Sequence, residues 1–252
     1  MNDLKKGYEI VVIGKIQLRT TDALPSQGVL VRNREAIEAI WQESQKEKGG
    51  KLFNGTIANL VKVEAKGDII ELMSHFIEYK HFLAQIKKPA LKLGLKPIGV
   101  SGIIILKDKS DEYVIFAKRA DNVTEYPCFL ELAPSGSIDQ GCVQADGSVD
   151  YQSQILSEFI EETGFSKEYI KGISGFVLVL DKAHQVYDIG CRILLEGKKE
   201  RISQDFSSTE YGAPVFVPMD DLGDFIKMNS ASIVPTSMAL IEAYRQNFKQ
   251  ES

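Results

Sequence analysis

The nine-residue segment SEFIEETGF, residues 157–165, constrains the fold of this chain more than any other part of the sequence. Apolar residues alternate with acidic ones at steps of three and four, which is the period that brings side chains onto one face of an α-helix. A glycine follows directly, as is common where a helix ends. We therefore predict a helix over residues 151–163 that is capped by Gly164 and packs on the core through Phe159 and Ile160.

The opposite face of this helix carries three carboxylates, Glu158, Glu161 and Glu162. They lie near the negative end of the helix, where a cation is favoured by about 0.3–1 kcal/mol. Carboxylates that lie close together also raise each other's pKa unless a cation neutralises them. Mg²⁺ or Mn²⁺ would remove both problems. An ordinary solvated acidic face remains the alternative, and the residues alone leave both interpretations open.

The remaining pattern is that of a mixed α/β protein. Residues 95–99 resemble a boundary, so we predict an N-terminal α+β region at 1–96 and a second domain at 97–252. Hydrophobic periodicity and turn residues predict the other elements. The predicted strands are 7–14, 28–31, 58–63, 69–76, 102–107, 112–117, 172–180, 186–195 and 214–217. The predicted helices are 34–48, 79–88, 220–228 and 235–248, and residues 121–150 are predicted to be irregular.

The charge and composition of the chain indicate which classes of binding partner to expect. The net charge is −5 and the basic residues are dispersed, whereas long nucleic acids are bound through clustered Lys and Arg. No apolar run approaches the roughly 20 residues of a membrane span, and the first residues lack a secretory leader pattern. The three cysteines have no CxxC spacing, so neither a disulfide framework nor a zinc site is expected. We expect a cytoplasmic protein with a small-molecule ligand; the sequence does not predict its oligomeric state.

The same helical segment is similar to the core of the Nudix box, G-x5-E-x7-R-E-U-x-E-E-x-G-U, where U is a bulky apolar residue. Leu132-Ala133-Pro134-Ser135-Gly136 resembles the L-P-G-G turn that precedes the box, and 99–119 and 215–222 resemble the flanking strands and helix. The resemblance implies a Nudix-type α/β/α sandwich from about residue 97. It also implies Mg²⁺-dependent hydrolysis of a diphosphate, with Glu158, Glu161 and Glu162 as metal ligands.

Two positions depart from that pattern. Ser157 stands where the box has arginine, and Val149, beside Asp150, stands where it has its first glutamate. These two groups typically pair and orient the helix, so their joint absence is self-consistent. The loop before the helix is also longer than the pattern, which indicates an insertion near residues 140–146.

The resemblance further implies site residues outside the helix. We predict Glu210, just before a strand, as the general base that acts with Glu161 and Glu162; the alternative is an exposed loop acid. Arg119 is predicted to hold a substrate phosphate by a bidentate contact; the alternative is a surface ion pair. Gly136, in the turn before the box, is assigned to substrate binding.

The N-terminal strings 53–56 and 95–100 resemble the Nudix subgroup that hydrolyses UDP-glucose and UDP-galactose. This predicts cleavage of a UDP-sugar to UMP and a sugar 1-phosphate. Gln140, Gln144 and Asp146 would contact the sugar, while Phe53 or Trp41 would stack on uracil unless they belong to the core. The alternatives are a Nudix hydrolase acting on ADP-ribose or another dinucleotide, and a non-catalytic nucleotide-binding or regulatory protein. The three histidines are predicted to be structural or exposed, with His184 in a hairpin turn.

Overall fold

The computed structural model describes residues 7–121 and 126–248. The strands are β1 (Tyr8–Ile13), β2 (Lys15–Thr20), β3 (Thr56–Lys66), β4 (Ile69–Glu78), β5 (Ile98–Asp108), β6 (Asp111–Arg119), β7 (Leu130–Glu131), β8 (Ser135–Ser137), β9 (Ile170–Asp181), β10 (Val186–Glu196) and β11 (Tyr211–Pro218). The helices are α1 (Gln27–Arg32), α2 (Arg34–Glu47), α3 (Tyr79–Lys87), α4 (Tyr151–Thr163), α5 (Lys199–Asp205), α6 (Leu222–Asn229) and α7 (Pro235–Phe248). No helix in these two ranges is long and apolar enough to cross a membrane.

A large mixed sheet has the strand order β1-β9-β10-β5-β6-β11, with short β8 paired to β5 and β7 paired to β6. Strands β10 and β5 run parallel, while β9–β10, β5–β6 and β6–β11 are antiparallel. The pairing of β7 with β6 and of β8 with β5 brings the middle of the predicted irregular segment, residues 130–137, onto the sheet. The same pairing positions the turn between β7 and β8, which faces helix α4.

Strand β5 shows why both faces of this sheet are covered. Successive side chains of a strand point to opposite faces, and β5 is apolar on both. Ile104 and Leu106 belong to the core that contains Phe159 of α4. Ile103 and Ile105 belong to a second core that is formed largely with α7. The sheet therefore lies between helices, which confirms the predicted mixed α/β class and its sandwich arrangement.

A smaller sheet of order β2-β4-β3 lies in the N-terminal region, with β2 and β4 parallel. Its residues Ile16, Leu18 and Leu72 join the same core as α4, so this sheet packs against the domain that carries the helix. Helices α2 and α3 contact each other away from that interface. The predicted smaller N-terminal sheet is confirmed. The division at 96/97 stays a prediction. Strand β1 precedes this division in the sequence, yet it pairs with β9 in the large sheet.

The structure differs from the sequence predictions of local structure at several places. Residues 28–31 form part of helix α1 and not a strand, because a run of four residues is too short for periodicity to separate a helix from a strand. Strand β2 and helix α5 were not predicted. Residues 121–150 are also less irregular than expected, since they contain β7, β8 and a 3₁₀ turn at Gln140–Cys142.

Helix α4 has the predicted bounds, and Gly164 ends it in the left-handed conformation with φ 69°. Phe159 is fully buried, but Ile160 is 43% exposed, so the prediction that Ile160 packs on the core is wrong. The buried positions of α4 follow a spacing of four, namely Tyr151, Ile155, Phe159 and Thr163. That line passes beside Ile160, which explains its exposure.

Candidate functional site

The start of helix α4 is set by a side-chain cap and by the N-terminal sheet. Asp150 accepts hydrogen bonds from the Ser153 backbone nitrogen at 3.0 Å and from the Ser153 hydroxyl at 2.6 Å, which satisfies an otherwise unpaired donor of the first turn. The backbone N–H of Val149, which is buried, donates to the Leu18 carbonyl at 2.9 Å. Ser157 is exposed. The Asp150 cap and the contact of Val149 with strand β2 therefore orient helix α4. In the Nudix pattern, a glutamate and an arginine stand at the positions of Val149 and Ser157.

The inserted loop before α4 lies against strand β2. Arg19 Nη2 donates to the Asp146 carbonyl at 2.7 Å, and the Thr20 N–H donates to the Gly147 carbonyl at 2.8 Å. Asp146 itself accepts from the Ser148 hydroxyl at 2.6 Å. These contacts direct the polar groups of the insertion toward the N-terminal sheet.

Glu162 is half-buried and faces the turn that leads from β7 to β8. Its Oε2 accepts a hydrogen bond from the Ser135 backbone N–H at 3.1 Å. Burial raises the pKa of Glu162 to about 8, although the Ser135 hydrogen bond opposes the shift, and the charges of Glu158, Glu131 and Glu210 add to it. A carboxyl with this pKa is poised to bind either a proton or a cation.

Glu158 lies one turn earlier on the same face and is also half-buried. Its Oε1 accepts from the Gln154 amide at 2.8 Å, and burial together with the charges of Glu161 and Glu210 raises its pKa. Gly136 of β8 makes this approach possible, because a Cβ there would lie 2.1 Å from Glu158 Oε1. Glu161 is exposed. The expectation that all three glutamates point away from the core therefore holds for Glu161 alone.

A buried ion pair that the sequence analysis missed adjoins this face. Glu131 of β7 is 6% exposed and pairs with Arg119 at the end of β6. Tyr211, the first residue of β11, donates its hydroxyl to Glu131 Oε2 at 2.8 Å, and the same hydroxyl lies 3.4 Å from Glu162 Oε2. Burial raises the pKa of Glu131, which Arg119 opposes. One charged residue within the apolar string FLELAP was the only signal for Glu131 in the sequence.

Arg119 therefore takes part in an ion pair whose side chains are 15% and 9% exposed. The alternative role of Arg119 is present in part, because Arg119 is ion-paired with Glu131 but the pair is not at the surface. Glu210 is exposed in the loop before β11, and its carbonyl accepts from the Ala120 N–H at 2.8 Å. Its charge contributes to the raised pKa of Glu131, Glu158 and Glu162. The fold thus gathers Glu131, Glu158, Glu162 and Glu210 into one acidic cluster, with Glu161 on its solvent side.

This acidic cluster offers oxygen ligands, which suit a hard divalent cation. Within residues 7–121 and 126–248, no group of three or more His, Cys, Asp or Glu side chains is already arranged to hold a metal ion. Burial is the main cause of the raised pKa values of Glu158 and Glu162, and the charges of neighbouring carboxylates add to it. The donor chemistry therefore fits Mg²⁺ or Mn²⁺, and the side chains have to move to coordinate either ion.

A cavity of about 270 Å³ adjoins the acidic cluster where Arg119, Glu131 and Ser135 form its wall. Its far end is formed by the turn between β9 and β10, where Asp181 Oδ2 lies 2.8 Å from Nδ1 of His184. The lining residues are Ile57, Phe82, Pro97, Ile98, Gly99, Ser101, Arg119, Tyr126, Glu131, Ser135, Gly136, Ser137, Asp181, His184, Val186, Asp188, Val234 and Thr236. Sequence reasoning missed Asp181 and Asp188, and it placed His184 correctly in a turn but gave it no role.

Several residues that were predicted to contact the substrate do not line this cavity. Gln140, Gln144 and Asp146 are not among its lining residues, and neither are Phe53 and Trp41. Trp41 is buried, as its core alternative predicted, whereas Phe53 is 84% exposed and does not belong to the core. The aromatic side chains that do line the cavity are Phe82, Tyr126 and His184, and they come from segments far apart in sequence.

The other two histidines lie in the N-terminal region. His75 of β4 is buried and its Nε2 lies 3.0 Å from the Asn59 amide nitrogen. Burial lowers the pKa of His75 and of His81. For His75 this agrees with the structural role that the sequence predicts.

The sequence matches no protein-family profile and no curated protein. Among solved structures, the chain is similar to the NUDIX domain of Shewanella oneidensis NrtR complexed with ADP ribose, with 15% identity, 59% of this chain and 86% of that chain covered, and a TM-score of 0.39. It is also similar to a Caenorhabditis elegans Ap4A hydrolase binary complex (15% identity, 60% and 98% covered, TM-score 0.40). A third is a NUDIX hydrolase from Nitrosomonas europaea (17% identity, 59% and 88% covered, TM-score 0.36).

Proposed function

We propose that this chain is a Nudix-type pyrophosphohydrolase that cleaves the diphosphate of a nucleoside diphosphate linked to a second group, with Mg²⁺ or Mn²⁺ as cofactor. One observation carries the proposal. The two half-buried carboxylates of α4, Glu158 and Glu162, have raised pKa values and lie beside a cavity of small-ligand size. An ordinary solvated acidic face would leave these carboxylates in water.

In this proposal Glu158, Glu161 and Glu162 hold the divalent ion. When bound, the ion neutralises phosphate oxygens and favours ionisation of the attacking water. Ion binding also offsets the desolvation of Glu158 and Glu162, because a positive charge favours the ionised carboxylate. Glu161 is exposed, so it has to turn toward Glu158 and Glu162 to complete the set.

The remaining roles belong to residues around the acidic cluster. Water attacks one phosphorus, the bridging P–O bond breaks, and Glu210 accepts the proton of the water as general base. Glu210 is exposed and electrostatically coupled to Glu158 and Glu162, which suits this role. Arg119, held by Glu131 at the cavity wall, contacts a substrate phosphate with its guanidinium, and the backbone of Gly136 borders the bound substrate.

For the substrate we propose a UDP-sugar, which gives UMP and a sugar 1-phosphate. The support is the resemblance of residues 53–56 and 95–100 to the UDP-glucose and UDP-galactose hydrolase subgroup. The cavity adds support because polar side chains, among them Ser101, Asp188 and Thr236, line it. Discrimination by such groups is strong only if the ligand satisfies their hydrogen bonds.

The test is an activity screen of the purified chain against UDP-glucose, ADP-ribose, NADH, diadenosine polyphosphates and nucleoside triphosphates, with Mg²⁺ and with EDTA. We expect Mg²⁺-dependent release of UMP from UDP-glucose. Glu158→Gln and Glu162→Gln should each lower turnover by roughly 10²-fold or more, a barrier increase of about 2.7 kcal/mol. Glu168→Gln, a change at an exposed glutamate beyond α4, is the matched control and should keep full activity.

Consumption of ADP-ribose ahead of UDP-glucose by a wide margin would refute the UDP-sugar assignment and leave the hydrolase proposal intact. Absence of turnover on every substrate, combined with nucleotide binding, would instead identify a non-catalytic binding module. That candidate is favoured by Ser157 and Val149, which stand where the Nudix box has its arginine and its first glutamate.

A further inference from the structure

Gln154 lies one helical turn before Glu158 on α4 and contacts it directly. Its side-chain Nε2 donates a hydrogen bond to Glu158 Oε1 at 2.8 Å, and both side chains are half-buried. Gly136 leaves room for the same oxygen from β8, since a Cβ there would lie 2.1 Å from it. A carboxylate has about four acceptor sites and the amide uses one of them, so Glu158 keeps acceptor sites for a cation.

The orientation of the Gln154 amide follows from its neighbours. Its Oε1 accepts from the Cys142 thiol, with Sγ at 3.3 Å, and the backbone nitrogen of Asp139 lies 3.5 Å from the same oxygen. Burial raises the pKa of Cys142, so the thiol keeps its proton and remains a donor. A flipped amide would turn its NH₂ group toward these two donors and its oxygen toward the ionised Glu158, which only accepts. The neighbours therefore fix Nε2 as the group that faces Glu158.

Both donors belong to the 3₁₀ turn Gln140–Cys142 and its cap, Asp139. The Asp139 side chain accepts a backbone N–H of the turn at 2.7 Å and the Thr56 hydroxyl of β3 at 3.2 Å. At the other end of the turn, the Asp150 N–H donates to the Cys142 carbonyl at 2.8 Å. The turn is thus tied both to the N-terminal sheet and to the start of α4, which makes it a firm support for the Gln154 amide.

This turn begins the segment, residues 140–146, by which the loop exceeds the Nudix pattern. The positions of the pattern's glutamate and arginine hold Val149, which is apolar and buried, and Ser157, which is exposed. Neither can hold Glu158 by a charged contact. The inserted turn reaches Glu158 through the Gln154 amide, and it provides an orienting contact at a site where the chain lacks that pair.

We infer that Gln154 is a positioning residue for Glu158, and that its amide, fixed by the inserted turn, holds the Glu158 carboxylate in place before a divalent cation binds. The inference rests on the proposed function for the role of Glu158 as a metal ligand. Loss of a group that orients a ligand residue typically weakens metal binding by about 10–100-fold. A carboxylate that is already oriented loses less freedom on binding, so the effect should appear in metal affinity and not in the stability of the fold.

Titration with Mn²⁺, followed by the electron paramagnetic resonance signal of the free ion, measures this affinity without substrate. We expect Gln154→Met, which keeps the length of the side chain and removes the amide, to raise the Kd for Mn²⁺ by about tenfold or more. Gln42→Met is the matched control, because Gln42 Nε2 donates to Glu38 Oε1 at 2.8 Å in an exposed pair on α2 that is also four residues apart. It should leave the Kd unchanged, and both variants should keep the Tm of the unmodified chain in EDTA.

Turnover at different Mg²⁺ concentrations gives a second readout. Excess Mg²⁺ should restore most of kcat in Gln154→Met, because the ligand itself is still present, whereas Glu158→Gln should stay impaired at every concentration. Cys142→Ser and Cys142→Ala provide an independent pair. The serine keeps a donor for Gln154 Oε1, so it should bind Mn²⁺ more tightly than the alanine variant does. This pair decides the question if Gln154→Met does not fold, as judged by circular dichroism, and equal Mn²⁺ affinity of the two would then overturn the inference.

Equal Mn²⁺ affinity in Gln154→Met and the unmodified chain would overturn the inference, and the proposed function would stand if Mg²⁺-dependent hydrolysis is kept. Weaker binding accompanied by a fall of Tm in EDTA would show a merely structural role and also overturn it. Weaker binding by Gln154→Met in a chain that hydrolyses no substrate would support the inference and refute the proposed function. Absence of Mn²⁺ binding by the unmodified chain would overturn both.

Discussion

Glu158 Oε1 lies 2.1 Å from the position that a Cβ at Gly136 would occupy, so these two residues can adopt their observed positions only because residue 136 has no side chain. Gly136→Ala should displace Glu158 and lower Mg²⁺-dependent turnover by roughly tenfold or more, or about 1.4 kcal/mol in the barrier. Gly172→Ala is the matched control, because a Cβ at Gly172 has no neighbour within 4 Å among the described residues. Steady-state kinetics of both variants checks this; equal rates would contradict it.

The raised pKa of Glu162 predicts a pH dependence of stability. Its pKa is about 8 in the folded chain against 4.5 for a free glutamate, so the folded state binds more protons between these values. Stability contributed by Glu162 is thus greatest below pH 4.5 and falls as the pH rises toward 8. We expect Glu162→Gln, relative to the unmodified chain, to gain Tm as pH rises through this window. Thermal scans in EDTA measure this, and a constant Tm difference from pH 4.5 to 8.5 would contradict it.

Divalent ions should reverse that trend in the unmodified chain. A bound cation favours the ionised form of Glu162, so Mg²⁺ should raise Tm more at pH 8 than at pH 5. The same ion should give a smaller shift in Glu162→Gln. Thermal scans with and without Mg²⁺ at both pH values provide the comparison; a shift of the same size in both proteins would argue against Glu162 as a ligand.

Tyr211→Phe should destabilise the fold, because it removes the hydroxyl that donates to the buried Glu131 at 2.8 Å. Loss of a hydrogen bond to a buried charged group costs about 1–3 kcal/mol. Tyr113→Phe is a suitable control, since the Tyr113 hydroxyl has no hydrogen bond to any residue in 7–121 and 126–248, and its ring contacts Lys199 and Phe216. Urea denaturation of the two variants should differ in midpoint, with Tyr211→Phe the less stable.

Asp150→Ala should weaken the start of α4. The loss of an N-cap side chain costs about 1 kcal/mol, and Asp150 bonds both the backbone and the hydroxyl of Ser153. Asp150→Asn keeps an acceptor oxygen and should restore most of the stability. Chemical denaturation of both variants checks the prediction, and equal losses for Ala and Asn would show that capping is not the role of Asp150.

Local pattern was enough to predict α4 and its glycine cap, because helix period and capping depend on residues within a few positions of each other. The same reasoning failed at residues 28–31, where a short apolar run fits a helix or a strand. It also failed at Ile160, since the face of a helix that becomes buried depends on what packs against it. Strands β7 and β8 escaped prediction because two or three residues become a strand only when a distant strand pairs with them.

The sequence by itself determined that three carboxylates share one helix of a mixed α/β chain, since that follows from spacing alone. Only the tertiary structure decided that Glu158 and Glu162 are half-buried while Glu161 is exposed, because β8 covers one edge of the acidic face. It also decided that Arg119 pairs with Glu131 and that Asp188 faces Gly99, contacts between residues far apart in the chain. Burial and long-range pairing set the pKa values and the charge of the cavity, and neither is encoded in local periodicity.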